Sequence, residues 1–237
     1  MAEALGRIAE GAGGAALHIV GREAAPDEDW SVRWREGLGV VRISPRLAVR
    51  PPFVADDASG APAIVIDPGQ AFGTGGHAST RLALTLLDGL GSAALRGARV
   101  LDVGTGSGVL ALAALRLGAE RAVAFDLDPV AVHEARDNAV RSGHAAGAQL
   151  FAGPLAALRA RPFDLALANL LRSELLPILG EVAAALRPGG RAVLAGLLVA
   201  EREEMTRALA GAGLSVETAL EERDPSGDEW LGLVTRR

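Results

Sequence analysis

The sequence has no cysteine, no lysine and no tyrosine, and all 24 of its basic residues are arginine. Each absence removes chemistry. Without lysine there is no phosphate-cradling G-x-x-x-x-G-K-[ST] loop, no Schiff base and no pyridoxal phosphate anchor; without cysteine there is no thiol nucleophile and no thiolate metal site. The Tyr/Lys pair of short-chain dehydrogenases is excluded as well. The four histidines, His18, His77, His133 and His144, are scattered at no metal-ligand spacing, so no metal is expected. Aromatic residues make up 3% of the chain, and its bias toward Ala, Gly and Arg reads as genomic base composition. No run of about 18 apolar residues occurs, since even "VLALAALRLGA" from Val109 is broken by Arg116, and no membrane partner is expected. The opening "MAEALGRIAE" lacks the basic start and apolar core of a signal peptide, which points to a cytoplasmic protein. A net charge of −5 with no concentrated basic segment argues against direct nucleic-acid binding and favours a protein or small-molecule partner. The protein is expected to be a monomer.

What is present is a long alternation of apolar strands and helices. "PDEDWSVRWREGL" (26–38) has a helix-start pattern with Trp30 and Trp34 on one face, and "VVRISPRLAVRPPFV" (40–54) reads as short edge strands with a connector. "AIVI" (63–66) is a strand that runs into a glycine-rich loop, "DPGQAFGTGGHAST", after which "STRLALTLLDGL" has helical spacing with Ser79 or Thr80 as its cap. Strands are then expected at 99–104, 121–126, 148–153, 163–170 and 191–198, with helices at 107–117, 129–142, 173–187 and 200–212. That order is a doubly wound, mostly parallel α/β sheet. "LSVETALEERDPSGDEWLGLVTRR" breaks the rhythm: two alternating runs flank "DPSGD" and form an antiparallel hairpin. The fold class is therefore a Rossmann-like, seven-stranded sheet ending in a hairpin, as in class I methyltransferases. The expected division is 1–62, an N-terminal segment with a linker helix, and 63–237, the α/β domain that carries the sheet.

A second glycine cluster, "DVGTGSG" (102–108), follows a strand and opens a helix, so Gly104, Gly106 and Gly108 let a ligand approach backbone N–H groups at a helix N-terminus. Two details distinguish it from G-x-G-x-x-G. Val109 fills the position of the third glycine, and Asp102 lies two residues before the first. Asp126 ends the next strand, where a carboxylate can accept both hydroxyls of an adenosine ribose. Asp128-Pro129 supplies a helix cap and first-turn proline. Asn169 ends the fourth strand, at the crevice where the strand order reverses.

These motifs, together with "ARDNAVRSG", "FDLALANLL", "RPGGRAVLAGLL", "PDEDW", "RPPFV" and "DEWLGL", resemble the bacterial ribosomal protein L11 methyltransferase family, most specifically in "DPGQAFGTGGHAST". The resemblance runs from about Asp27 to Trp230. It implies transfer of methyl groups from S-adenosylmethionine to lysine side chains and an N-terminal amine of a ribosomal protein. Carried over by position, Thr80, Gly104, Asp126 and Asn169 match cofactor-binding residues, and Phe72, Gly73, Thr74 and His77 match a loop closing over the methionine end. Asp102, Gly106 and Leu127, in or beside the two later motifs, are expected to join them. Asn169 is the expected catalytic residue, offering an oxygen to orient the amine; His77 is read as a cofactor-loop, capping or packing residue rather than a base. Only 26 residues precede Asp27, so the resemblance implies that 1–62 holds a reduced form of the substrate-recognition module such proteins carry and that 63–237 is the S-adenosylmethionine-dependent methyltransferase domain. Gly153 and Pro154 stand where many methyltransferases place a polar side chain near the adenine, which points to backbone recognition. Competing readings are a methyltransferase acting on another protein or a small amine, a nicotinamide-dependent oxidoreductase using "GTGSG" and Asp126, and a non-catalytic module that keeps the cofactor fold.

Overall fold

β4 (Arg99–Val103), β5 (Arg121–Asp126) and β7 (Phe163–Asn169) are mostly apolar, and most of their residues are buried. Strands of that kind need cover on both faces, which a parallel sheet with crossover helices provides. In the computed structural model, which describes residues 38–56, 60–69, 75–158 and 162–237, they lie at the centre of a seven-stranded sheet of order β6-β5-β4-β7-β8-β10-β9. β6 is Ala148–Ala152, β8 Leu186–Leu198, β9 Ser215–Arg223 and β10 Glu229–Arg236. The first five are parallel, and β10 runs antiparallel to both β8 and β9, giving the expected closing hairpin. The helices are α1 (Ala78–Gly89), α2 (Ser92–Leu95), α3 (Val109–Arg116), α4 (Pro129–Arg141), α5 (Arg172–Ala185) and α6 (Arg202–Gly211). One apolar cluster, with α1 and α3, covers one face; α5 and α6 contribute Leu175, Leu179, Met205 and Leu209 to the cluster on the other.

A second, three-stranded sheet is formed by β1 (Val41–Ser44), β2 (Leu47–Arg50) and β3 (Ala63–Val65), with β1–β2 antiparallel and β2–β3 parallel. Its Leu47, Val49 and Ile64 are wholly buried in the same cluster as α1 and α3. The chain divides into compact units at Met1–Leu38 and Gly39–Arg237, and every element named here belongs to the second. The β2–β3 pairing runs across the division expected at residue 62. The expected Trp30/Trp34 helix and the segment before it lie outside the described residues.

Several expected boundaries move for identifiable reasons. α1 is capped by His77 rather than Ser79 or Thr80: His77 is extended (ψ 144°) and its imidazole accepts the Ser79 N–H, while Ser79 and Thr80 are buried inside the first turn. α3 begins two residues late because Gly108 takes a left-handed conformation (φ 86°). β8 starts at Leu186, five residues early, since "RPGG" is drawn into the sheet by hydrogen bonds from Gly189 N–H to the Arg237 carbonyl and from Arg237 N–H to that of Gly190. α2 is a single turn, too short to leave a periodic signature in the sequence.

Where β8 meets β10 the register slips, with Leu194 and Leu197 opposite Leu233 and Leu231, so β8 carries an extra residue. Gly196 occupies this bulge at φ 81°, and a Cβ there would stand 2.6 Å from the Leu170 carbonyl oxygen. The left-handed backbone and the backbone contact together demand glycine. Gly196→Ala is expected to destabilise the fold by about 2 kcal/mol or more, measured by urea unfolding; a loss within experimental error would show that the β7–α5 turn can move aside freely.

Candidate functional site

Sheet order reverses between β4 and β7, and a crevice opens there at the carboxyl ends of the strands. It forms a cavity of about 750 Å³, within the size range of small-molecule and cofactor sites. One wall is the turn after β4. Gly104, Gly106 and Gly108 all have positive φ, which disfavours a side chain at each, and a Cβ on Gly104 would also displace Leu170 Cδ2, 2.5 Å away.

The loop is held from beneath by Asp102. Its Oδ2 accepts from the Thr105 hydroxyl at 2.7 Å and from the Ala111 N–H at 3.1 Å, while Oδ1 has no partner among the described residues. Burial raises the Asp102 carboxyl from 3.8 to about 6; the two hydrogen bonds oppose the rise and the charge of Asp126 adds to it. From the outer side Asp126 Oδ2 accepts the Gly106 N–H at 2.9 Å and Oδ1 the Asp128 N–H at 3.1 Å. A carboxylate has about four acceptor positions, so each Asp126 oxygen keeps capacity for a further donor.

Opposite, Asn169 Nδ2 donates to Thr80 Oγ1 at 3.2 Å, and its buried Oδ1 has no partner among the described residues. An unsatisfied buried acceptor costs about 1–3 kcal/mol, so this oxygen marks a place where a bound donor would be favoured. His77 reaches the cavity from the start of α1; its Nδ1 accepts from Ser79 N–H and lies 2.8 Å from Ser79 Oγ. Its ring meets Trp230 edge-on, with centroids 4.7 Å apart, and the indole N–H donates to Asp224 at 2.9 Å. Hydrogen bonds from Ser226 and then Trp230 hold the Asp224 carboxyl at about 2.

The structure thus gathers His77, Gly104, Gly106, Asp126, Leu127 and Asn169 around one cavity. Two expected contact residues stand behind it instead. Asp102 is buried under the loop with one oxygen committed to it, and Thr80 is wholly buried, its hydroxyl turned to Asn169. Phe72, Gly73 and Thr74 lie outside the described residues. Gly153, in the turn after β6, gives its N–H to the Asp126 carbonyl, and its neighbour Pro154 lines the cavity. Trp230 and Asn138 received no role from the sequence. Asn138 could have been noticed as a polar residue on the buried stripe of α4, in step with Ala131 and Ala135. Among the described residues no group of His, Asp and Glu could hold a metal, and no helix is long and apolar enough to cross a membrane.

The sheet order, the terminal hairpin, the glycine turn with a carboxylate at the end of the adjacent strand and the unsatisfied Asn169 oxygen define a class I methyltransferase, whose cofactor is S-adenosylmethionine. The residues present fit that cofactor: Asp126 has spare acceptor positions, and Gly104 and Gly106, at positive φ, leave the turn's backbone without a side chain where it lines the cavity. A family model described as ribosomal protein L11 methyltransferase (PrmA) matches residues 2–237, and the chain belongs to that family. It is 39% identical over 235 residues to the ribosomal protein L11 methyltransferase of Geobacter sulfurreducens, covering 98% of this chain and 74% of that one. It is 40% identical over 212 residues to that of Symbiobacterium thermophilum, covering 89% of this chain and 66% of the relative. Among solved structures, the ribosomal protein L11 methylase of Lactobacillus delbrueckii subsp. bulgaricus superposes with a TM-score of 0.72 at 30% identity, over 84% of this chain and 98% of that one.

The raised Asp102 carboxyl has a consequence for stability. The native state holds the proton more tightly than the unfolded chain, so the stabilisation is full below about pH 4 and is lost as pH rises through about 6. A carboxyl raised by about two pH units corresponds to roughly 3 kcal/mol. Asp102→Asn cannot titrate, so wild type is expected to lose up to that amount relative to the variant between about pH 4 and 7, followed by urea unfolding of both proteins. A wild-type-to-variant difference that stays constant with pH would exclude this titration.

Proposed function

We propose that the protein transfers methyl groups from S-adenosylmethionine to amino groups of ribosomal protein L11, lysine side chains and the N-terminal amine, and that it acts in the cytoplasm as a monomer without touching nucleic acid. The chain spans 74% and 66% of the two relatives named above, whose names supply the substrate. The observation that carries the catalytic reading is the unsatisfied Asn169 oxygen at the end of β7, on the cavity's inner wall.

The cofactor supplies an activated sulfonium methyl, so the protein's task is to align a nitrogen lone pair behind it. In this reading Asp126 would take the ribose hydroxyls, the backbone of the Gly104–Gly106 turn would lie against the cofactor, and Leu127, 74% exposed, would offer the adenine an apolar face. Pro154 and Leu155 leave the base to backbone and apolar contacts on that side. Thr80 fixes the Asn169 amide, and His77 with Trp230 closes the wall nearest α1. A lysine amine, which in water stays protonated up to about pH 10.4, must lose a proton before it attacks. Leu171, Ile178 and Trp230 give the entrance an apolar lining that favours the neutral amine, and Asn169 Oδ1 accepts from it and aims its lone pair. The net charge of −5 suits a basic protein substrate better than a polyanion.

A nicotinamide enzyme is the competing use of such a turn. Calorimetry with both ligands separates them: S-adenosylmethionine is expected to bind and NAD not, and the reverse result would overturn the reading. Asp126→Ala should weaken S-adenosylmethionine binding by about 1.5–3 kcal/mol, roughly ten- to a hundredfold, through lost charge-assisted hydrogen bonds. Asn169→Ala should lower kcat by at least about tenfold with a smaller effect on cofactor affinity. Incubation with labelled cofactor and a bacterial lysate should label L11; label on another protein or a small molecule would reassign the substrate.

A further inference from the structure

The sequence carries two glycine-rich loops, and one side chain touches the described ends of both. Asn138, on α4, is wholly buried. Its Oδ1 accepts the Asp67 N–H at 3.0 Å, where the chain leaves β3 to enter the first loop, and its Nδ2 donates to the Ser107 carbonyl at 3.0 Å, inside the second. These positions are 71 and 31 residues away in sequence. A primary amide is suited to this place because it offers an acceptor and a donor from one planar group. Either half left unpaired in the interior would be penalised, so the two bonds stand or fall with the fit of both backbones. The same helix makes further contacts to this strand and the segment after it. Ser142 Oγ both accepts the Val65 N–H and donates to the Val65 carbonyl, Arg141 pairs with Asp67 at 3.4 Å, and the Glu134 carboxylate lies where a Cβ on Gly69 would fall. The Asn138 bridge continues from there to the turn that lines the cavity.

We propose that Asn138 is a positioning residue for cofactor binding, making the Gly104–Gly108 turn and the segment Asp67–Gly69 a single mechanical unit, so that occupation of the cavity is felt at both. This rests on the reading of the cavity as the S-adenosylmethionine site. Asn138 does not line the cavity, and its effect is exerted through the Ser107 carbonyl on the geometry of the adjacent glycines.

The test compares Asn138→Ala, Asn138→Asp and Ser142→Ala with wild type, using calorimetric affinity for S-adenosylhomocysteine, KM and kcat, and thermal stability without ligand. Ser142→Ala removes the neighbouring link between α4 and β3 but leaves Ser107 untouched. It is expected to lower the melting temperature while keeping affinity within about twofold. Asn138→Asp keeps an acceptor for Asp67 but loses the donor to Ser107. Both Asn138 variants should lose about tenfold or more in affinity, with KM for S-adenosylmethionine rising more than kcat falls. Wild-type-like affinity in either Asn138 variant, or a loss no greater than that of Ser142→Ala, overturns the coupling. If wild type itself binds no S-adenosylhomocysteine, the reading of the cavity fails instead. Should both Asn138 variants fail to fold, hydrogen exchange on wild type decides: the ligand should slow exchange at Asp67 together with Gly106 and Gly108, and protection of the glycines alone overturns the proposal.

Discussion

Asp102 is a carboxylate where burial raises its pKa to about 6, fully enclosed at the end of the central strand with one oxygen left unpartnered among the described residues. Its other oxygen ties the Thr105 hydroxyl to the Ala111 N–H, joining the glycine turn to the first turn of α3. With the backbone pinned from below, the turn cannot collapse into the crevice, and the Gly106 N–H is held toward Asp126 at the neighbouring strand end. The site's remaining geometry depends on that placement. Leu170 packs where a Gly104 side chain would be, the Leu170 backbone is accommodated by Gly196, and Asn169 is thereby set on the inner wall of the switch-point cavity with an oxygen unsatisfied among the described residues.

The buried strands were legible because a parallel sheet covered on both faces leaves apolar runs that only such a sheet accommodates, and β5 falls where the pattern placed it. The closing hairpin was legible from its turn residues. Asp126 and Asn169 could be nominated because a strand end beside a glycine turn places a side chain at the crevice whatever the details of packing. What the sequence could not show was direction. Asp102 and Thr80 carry polar groups of the expected kind, yet both are buried, with Asp102 turned to Thr105 and the Thr80 hydroxyl to Asn169. Capping was among the roles open to His77, but Ser79 and Thr80 offered the commoner cap side chains, and the choice depends on an imidazole meeting the Ser79 N–H where the loop arrives. The early start of β8 required knowing that the far end of the chain would lie alongside it.

The hairpin that distinguishes this sheet from an ordinary dinucleotide fold also takes part in the site. Arg81 on α1 donates to Glu222 on β9 and to the Gly76 carbonyl, and Trp230, the register partner of Glu222, packs its ring against His77. Residues 75–77 are therefore held by the last two strands, whereas Asp67–Gly69 is held by α4. One end of the first glycine loop is tied to the element that supports the second, the other to the C-terminal hairpin. The glycine turn and Trp230, to which these two described ends are tied, both line the cavity. The second glycine loop is no duplicate of the first: His77 and Ser79, at the described end of the first, line one cavity with Gly104 and Gly106 of the second, and the topology that adds an antiparallel hairpin to a parallel sheet supplies the anchor at His77.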